Sequence, residues 1–281
     1  MLSRLLRHVV RPAGFHRGLL GALGGAILLS SAAYGAITVQ NTLVAETPED
    51  FEKGVAYPLI GLHGADPTYL SVRVYKWTQR GDDMYVLEPT DDFTVFPELV
   101  RIGSDSRKSV TIKAAKSLPR DHESDYRIIL REFDRADGTD NPPPDDAPAM
   151  ALRLKPQASV PMIVRAPKSA QPAPMAIEGV RNAPPLTERE KAIGMQEPGQ
   201  LLTLRNPGAI YQRIVAIGVN EPAGEKNQVV GYVLPGQSVD LGMSLKPGDR
   251  IEVMYVNGPD ARVDLKSGRP DDRKFVSWTV Q

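Results

Sequence analysis

Leu70-Ser71-Val72-Arg73-Val74-Tyr75-Lys76-Trp77 alternates apolar and polar residues. A period of two belongs to a strand. It puts Leu70, Val72, Val74 and, at its end, Lys76 on one face, with Arg73, Tyr75 and Trp77 on the other. Bulky residues on both faces fit a central strand of a sandwich.

The flanking sequence repeats the pattern at short intervals. Tyr57 to Leu62 is an apolar run closed by the turn-rich Gly64-Ala65-Asp66-Pro67, and Gly81-Asp82-Asp83 turns the chain into Met84 to Leu87. Leu99 to Ile102, Val110 to Ile112 and Tyr126 to Phe133 read as further strands. Ala149 to Val164 reads as the last strand of this half, broken or bulged at Pro156 and Pro161. The proline- and aspartate-rich stretch Asp134 to Pro148, just before it, reads as a loop. Short strands with turn signals at this spacing predict a β-sandwich.

Arg165 to Pro174 carries three prolines and reads as a linker. Strands resume at Gln200 to Arg205, which ends in the turn Asn206-Pro207-Gly208, and continue at Tyr211 to Val219, Val229 to Leu234, Arg250 to Val256 and Phe275 to Val280. Thr187 to Ile193 is the one helix expected outside the N-terminal segment.

That N-terminal segment has the layout of an export signal. Arg4, Arg7, Arg11 and Arg17 form a basic region, Leu19 to Leu29 an apolar one, and Ser30 to Ala36 is rich in small residues. The apolar run is shorter than the about 20 residues that span a bilayer. The expectation is a cleaved signal peptide over 1–36, ending at Ala33 or Ala36, and no membrane span afterwards; an uncleaved anchor is the alternative.

Composition narrows the function. Lys+Arg and Asp+Glu are equal at 34 each, which gives no electrostatic reason to expect nucleic acid as a partner. With no Cys, the chain has neither a thiol nucleophile nor a thiolate metal ligand. The four His are His8, His16, His63 and His122, with no metal-site spacing. There is no G-x-S-x-G, P-loop or G-x-G-x-x-G motif, and Asp82-Asp83, Asp91-Asp92 and Asp271-Asp272 read as solvated turn residues. The expectation is a non-enzyme without cofactor or metal.

An ordered set of motifs then carries a resemblance. Leu118-Pro119-Arg120-Asp121-His122-Glu123-Ser124-Asp125-Tyr126, Val160 to Pro167 with Arg165, Leu204-Arg205-Asn206-Pro207 before Tyr211, Gly231 to Gly236, and Tyr255-Val256-Asn257 follow in sequence. The chain resembles the PapD-like periplasmic chaperones of chaperone–usher pilus assembly, in their divergent, archaic or alternative branch. The resemblance implies an all-β fold: two immunoglobulin-like β-sandwiches set at an angle, with a cleft between them, preceded by the signal peptide. The expected domains are 37–166 and 167–281.

The resemblance also implies a periplasmic chaperone that stabilises pilin or fimbrial subunits by donor-strand complementation and delivers them to an outer-membrane usher. It assigns Met150, Leu152 and Leu154 as the apolar donor residues. Periodicity alone reads that stretch as an ordinary strand packed on its own core. Exposed apolar edges also favour self-association of the free protein. Glu123 and Arg165 match two members of an interdomain charged network, with Asp260 as a shifted candidate for the third, because Gly258 stands where the acidic residue belongs. The family's two bases for the subunit's terminal carboxylate find no match: Pro161 occupies one position, and the first strand, Ile37 to Val44, has no Lys or Arg. Arg73, Arg101 and Lys155 are the substitutes the sequence offers. The alternative function is an exported two-sandwich structural or adhesion protein with no chaperone role.

Overall fold

A computed structural model describes residues 37–38, 42–64, 66–81, 83–138, 157–188, 191, 199–261 and 272–281. The expected signal segment, Met150, Leu152, Leu154 and Lys155 lie outside the described residues. The first half contributes β1 (Ile37–Thr38), β2 (Val44–Glu46), α1 (Pro48–Lys53), β3 (Val55–Gly61), β4 (Thr68–Arg80), β5 (Asp83–Pro89), β6 (Phe93–Phe96), β7 (Leu99–Ile102), β8 (Arg107–Ala114), β9 (Ser124–Phe133) and β10 (Gln157–Val164). The second contributes β11 (Ala176–Asn182), β12 (Gln200–Arg205), β13 (Gln212–Val219), β14 (Gln228–Val233), β15 (Ser238–Met243), β16 (Arg250–Asn257) and β17 (Lys274–Thr279).

Each half is a sandwich. In the first, a sheet ordered β1-β3-β8-β6 faces a second ordered β2-β10-β9-β4-β5, with β7 also paired to β4. Leu70, Val72 and Val74 of β4 join Ile128 and Leu130 of β9 and Val160 and Met162 of β10; Tyr57, Leu59, Val110 and Ile112 of the other sheet belong to the same buried core. Each such side chain contributes roughly 1.5–3 kcal/mol when buried. In the second half, β11-β12-β15 faces β14-β13-β16-β17, with Leu202, Leu204 and Val239 in one core with Ile214, Val233, Ile251 and Val253.

The central strand departs from its predicted alternation at one place. Lys76 is exposed rather than inward, while Trp77 and Gln79 are buried. The pairing of β4 with β5 shifts register between Thr78 and Arg80, a bulge that re-aims the strand end. The ladder is still regular at Lys76 and Trp77, so the change there is one of cover: beyond Val74 the strand's other face is the buried one, against the second sandwich.

Four further expectations are corrected. The first strand is two pieces: β1 pairs antiparallel with β3 and β2 pairs parallel with β10, so the chain crosses between sheets. Pro161 causes no bulge, for β10 and β9 keep one register from Gln157 to Val164. A helix lies at α1, which sequence reading passed over. Thr47 caps it, with Asp50 N–H donating to Thr47 Oγ1 at 3.3 Å and Thr47 Oγ1 donating to the Asp50 carboxylate at 2.6 Å. Pro48 stands at its start and Phe51 plugs the core. The helical turn expected at Thr187 to Ile193 is not among the corrections: Thr187, Glu188 and Lys191 are described, and Lys191 N–H bonds the Thr187 carbonyl at 3.0 Å, the spacing of a helix. Finally, the second half begins at β11, earlier than Gln200. Its pairing with β12 is irregular between Ile177 and Gly179, which hid its period.

Candidate functional site: the seam and cleft between the sandwiches

The two halves meet on an aromatic seam. Trp77, Ala45 and Ile163 from the first pack with Tyr211 and Leu234 from the second, and Tyr85, Leu87 and Tyr232 close around them. Trp77 stacks on Tyr85 with centroids 6.2 Å apart and meets Tyr232 edge-on at 5.8 Å. Both are favoured aromatic geometries. The indole N–H donates to the Met84 carbonyl at 2.8 Å, so the buried ring leaves no unpaired donor.

Gln79, at the bulge, acts as a polar clamp across the same seam. Its backbone N–H donates to the Gln237 side-chain oxygen at 2.6 Å, its amide NH2 donates to the Tyr232 carbonyl at 2.7 Å, and its amide oxygen accepts the Leu234 N–H at 2.9 Å. The bulge takes Gln79 out of the ladder and turns it to the second domain. On the facing side, Asn206 sets the turn that delivers Tyr211. It donates to the carbonyls of Ile210 and Val233 at 2.8 and 2.9 Å, and its oxygen accepts the Gly208 N–H at 2.9 Å. Gly208 is needed there, since a Cβ would stand 2.7 Å from the Ala173 nitrogen.

Of the predicted charged network, the structure brings two members into direct contact. Both Nη atoms of Arg165 donate to the Asp260 carboxylate, at 2.5 and 3.1 Å, and its Nε donates to the Ala45 carbonyl at 2.8 Å. A two-pronged pair of this kind fixes orientation as well as charge. Glu123 does not touch Arg165. It accepts the Tyr211 N–H at 2.8 Å, while the Tyr211 carbonyl accepts the Gly258 N–H at 2.9 Å. The acidic and basic ends are thus joined through the backbone of Tyr211 rather than by a direct ion pair.

Asp125, two residues on and the second residue of β9, is the charged neighbour of Glu123. Burial, then the neighbouring Asp125 charge, pushes Glu123 up to about 9. Burial pushes Asp125 up to about 7. Two carboxyls in one dry pocket cannot both ionise cheaply.

Sequence reading missed the residue at the centre of the cleft. Arg127 of β9 pairs in register with Pro161 of β10 and is 6% exposed. Its guanidinium lies 4.2 Å from the Trp77 ring centroid and 4.5 Å from that of Tyr85. One Nη donates to Ser159 Oγ at 2.9 Å, but among the described residues its buried Nε has no hydrogen-bond partner. Burial lowers its pKa, yet a guanidinium keeps its charge in proteins. Arg127 opens onto a cleft of about 470 Å³, which Arg213 of β13 lines from the second domain together with Tyr85, Ser159, Pro161 and Tyr232. No Asp or Glu lines that cleft among the described residues. The three bases suggested by sequence are elsewhere: Arg73 pairs with Glu98 at 2.8 Å on the surface, Arg101 is exposed on β7, and Lys155 lies outside the described residues. The only sequence signal for Arg127 was a charge inside an otherwise apolar run, Tyr126 to Leu130.

The edge of β10 borders this cleft. β9 pairs with it along its whole length, but β2 covers its other side only from Met162 to Val164. Among the described residues, Gln157 to Pro161 have no strand on that side.

Residues 63–170 match the family model described as "Pili and flagellar-assembly chaperone, PapD N-terminal domain". No curated protein sequence matches the chain. Among solved structures, the CsuC–CsuE chaperone–tip adhesion subunit pre-assembly complex from the archaic chaperone-usher Csu pili of Acinetobacter baumannii is similar, with TM-score 0.56, 17% identity, 86% of this chain and 97% of that chain covered. The SafA pilin–SafB chaperone complex of Salmonella enterica gives TM-score 0.47 and 17% identity, covering 86% and 97% of the two chains.

Proposed function

We propose that this chain, a PapD-like chaperone of pilus assembly, works in the periplasm by holding an incomplete fibre subunit against its cleft and completing it with a strand of its own. Met150, Leu152 and Leu154 supply the apolar side chains, and an outer-membrane usher receives the subunit. The observation that carries the reading is the edge of β10 at Gln157 to Pro161, uncovered by any strand of the described residues, beside a cleft in which none of the described carboxylates pairs with Arg127. A free edge offers main-chain hydrogen bonds to an added strand, and alternate side chains supply specificity.

Arg127 and Arg213 answer the lack of a base at Pro161. The cation sits one strand over from where the resemblance looks for it, directly across the ladder from the proline. Trp77 and Tyr85 hold its guanidinium in place, which lowers the entropy lost on binding. A chain-terminal carboxylate entering the cleft would offer an acceptor to Arg127 and neutralise one of the two arginine charges. The neighbour from Acinetobacter baumannii pairs a chaperone with a tip adhesion subunit, which supports a subunit as the occupant here.

The test is co-expression with small fibre subunits in the periplasm, followed by affinity purification of this chain. Recovery of a subunit that lacks its last strand supports the reading. A chain that purifies folded and alone from cells making such subunits would overturn it.

A further inference from the structure

We infer that Pro161 is a ladder stop: it keeps the chain's own first strand from running on along β10, and so holds the edge at Gln157 and Ser159 open. The inference deepens the proposed subunit binding and rests on it only in naming the strand for which the edge is kept.

The direction of the main-chain groups carries it. Successive residues of a strand turn their N–H and C=O groups to opposite sides. Arg165 N–H donates to the Glu46 carbonyl at 2.9 Å, just past the parallel pairing of Met162, Ile163 and Val164 with Val44, Ala45 and Glu46. The odd-numbered residues of β10 therefore face β2, and the even-numbered ones face β9. A bond from across the sheet agrees. Val72 N–H donates to the Glu98 carbonyl at 3.0 Å, away from β9, so Tyr75 faces β9 and its partner Arg127 faces back. Pro161, opposite Arg127 on the other side, then faces away from β9. The position toward β2 next to Ile163 is thus Pro161, and proline has no N–H to give. The β2 ladder ends there, with Val44 opposite Met162 as its first pair.

The preceding residues are close enough to continue it. Thr42 lines the same cleft as Ser159 and Pro161. In the register of β2, extension needs a donor in place of Pro161 for the Thr42 carbonyl, and then Thr42 N–H donating to the Ser159 carbonyl. The first bond cannot form. Ile37 and Thr38 instead pair with Gly61 and Ile60 of the other sheet. Gln157 and Ser159 are left exposed, with their main-chain groups aimed outward. The stop matters because a strand of the same chain competes at a high effective concentration, in the millimolar range for a short tether.

Amide hydrogen exchange of the full, free chain is read first. In the native chain the Thr42 amide should exchange freely, and the Val160 amide, which faces β9, slowly. Pro161→Ala restores the donor, and protection of the Thr42 amide should rise about tenfold or more. Retention of a co-expressed fibre subunit by the same variant should fall about 10- to 100-fold, as an incoming strand must displace two main-chain bonds. Adding Thr42→Pro removes the second of those bonds and should return retention toward the native level. An unchanged Thr42 amide in Pro161→Ala overturns the ladder stop. A protected Thr42 amide with native retention overturns the reserved edge. A native chain that retains no subunit overturns the subunit reading, and exchange in the free chain then judges the ladder stop alone. Should Pro161→Ala fail to fold, native exchange decides: a Thr42 amide as slow as that of Val160 overturns the inference, and a free one beside a protected Val160 supports it.

Discussion

Arg127 and Pro161 are direct partners across the ladder of β9 and β10, so the strand position that lacks a base faces one on its neighbour. The pairing makes one cation serve two structural roles. Its flat face is part of the aromatic seam, and its edge opens into the cleft. Arg127→Met is expected to fold, since removing an unpaired buried charge relieves a desolvation cost while losing a ring contact. Subunit retention should fall about 10- to 100-fold, the value of a charge-assisted hydrogen bond of ~1.5–3 kcal/mol. Arg127→Lys should not rescue it, because an ammonium lacks the planar face that Trp77 and Tyr85 hold. Surface-captured subunit and chaperone dissociation rates would measure both.

Trp77 is the apolar counterpart. Trp77→Ala should cost about 3–5 kcal/mol in urea unfolding, because it removes a buried ring from the seam and leaves a cavity there. If the seam couples the halves, the unfolding curve should also split into two steps.

The Arg165 pair separates two contributions. Asp260 is 77% exposed in its side chain and Arg165 34%. Asp260→Ala should therefore cost under about 1 kcal/mol, as exposed ion pairs do. Arg165→Ala should cost about 1–3 kcal/mol, because it also strips the partner from the Ala45 carbonyl. Equal costs for the two, read from urea midpoints, would contradict this division.

Stability should follow pH in the direction set by Glu123 and Asp125. Both are raised in the folded state, to about 9 and about 7, so the fold binds more protons than the unfolded chain above the ordinary carboxylate range. Their contribution is whole below that range and is lost as pH rises through the folded values. The urea midpoint should decline from mildly acidic to mildly alkaline pH, and the decline should flatten in Glu123→Gln.

Where period and turn chemistry are local, the sequence was readable. Leu70, Val72 and Val74 alternate because one side of β4 meets one core, and most of the strands were found in the same way. Beyond Val74 the buried face changes: Lys76 keeps the register of Val74 but lies past the first core, while Trp77 is covered by a second domain far along the chain. Thr47-Pro48-Glu49-Asp50 did hold a capping signature, with the shorter Asp in place of Glu. β11 was hidden by prolines before it and an irregular pairing within it. Asp260 was reachable as a neighbour of Gly258, since a turn residue two positions on can swing its carboxylate to the same arginine. Arg127 was not reachable. Inside Tyr126 to Leu130 it reads as the solvent face of a strand, and only the packing of Tyr85, Trp77 and Tyr232 over that face makes it a cleft residue.

The central claim is that Leu152 and Leu154 complete a subunit rather than this chain's own core. Its most direct test is the lifetime of a co-expressed fibre subunit in the periplasm with Leu152→Glu, Leu154→Glu in place of the native chain, the variant's fold being checked by its urea midpoint. The account predicts a variant within about 1 kcal/mol of native stability, as for a surface substitution, and a subunit that is degraded. A folded variant that still protects the subunit would contradict it.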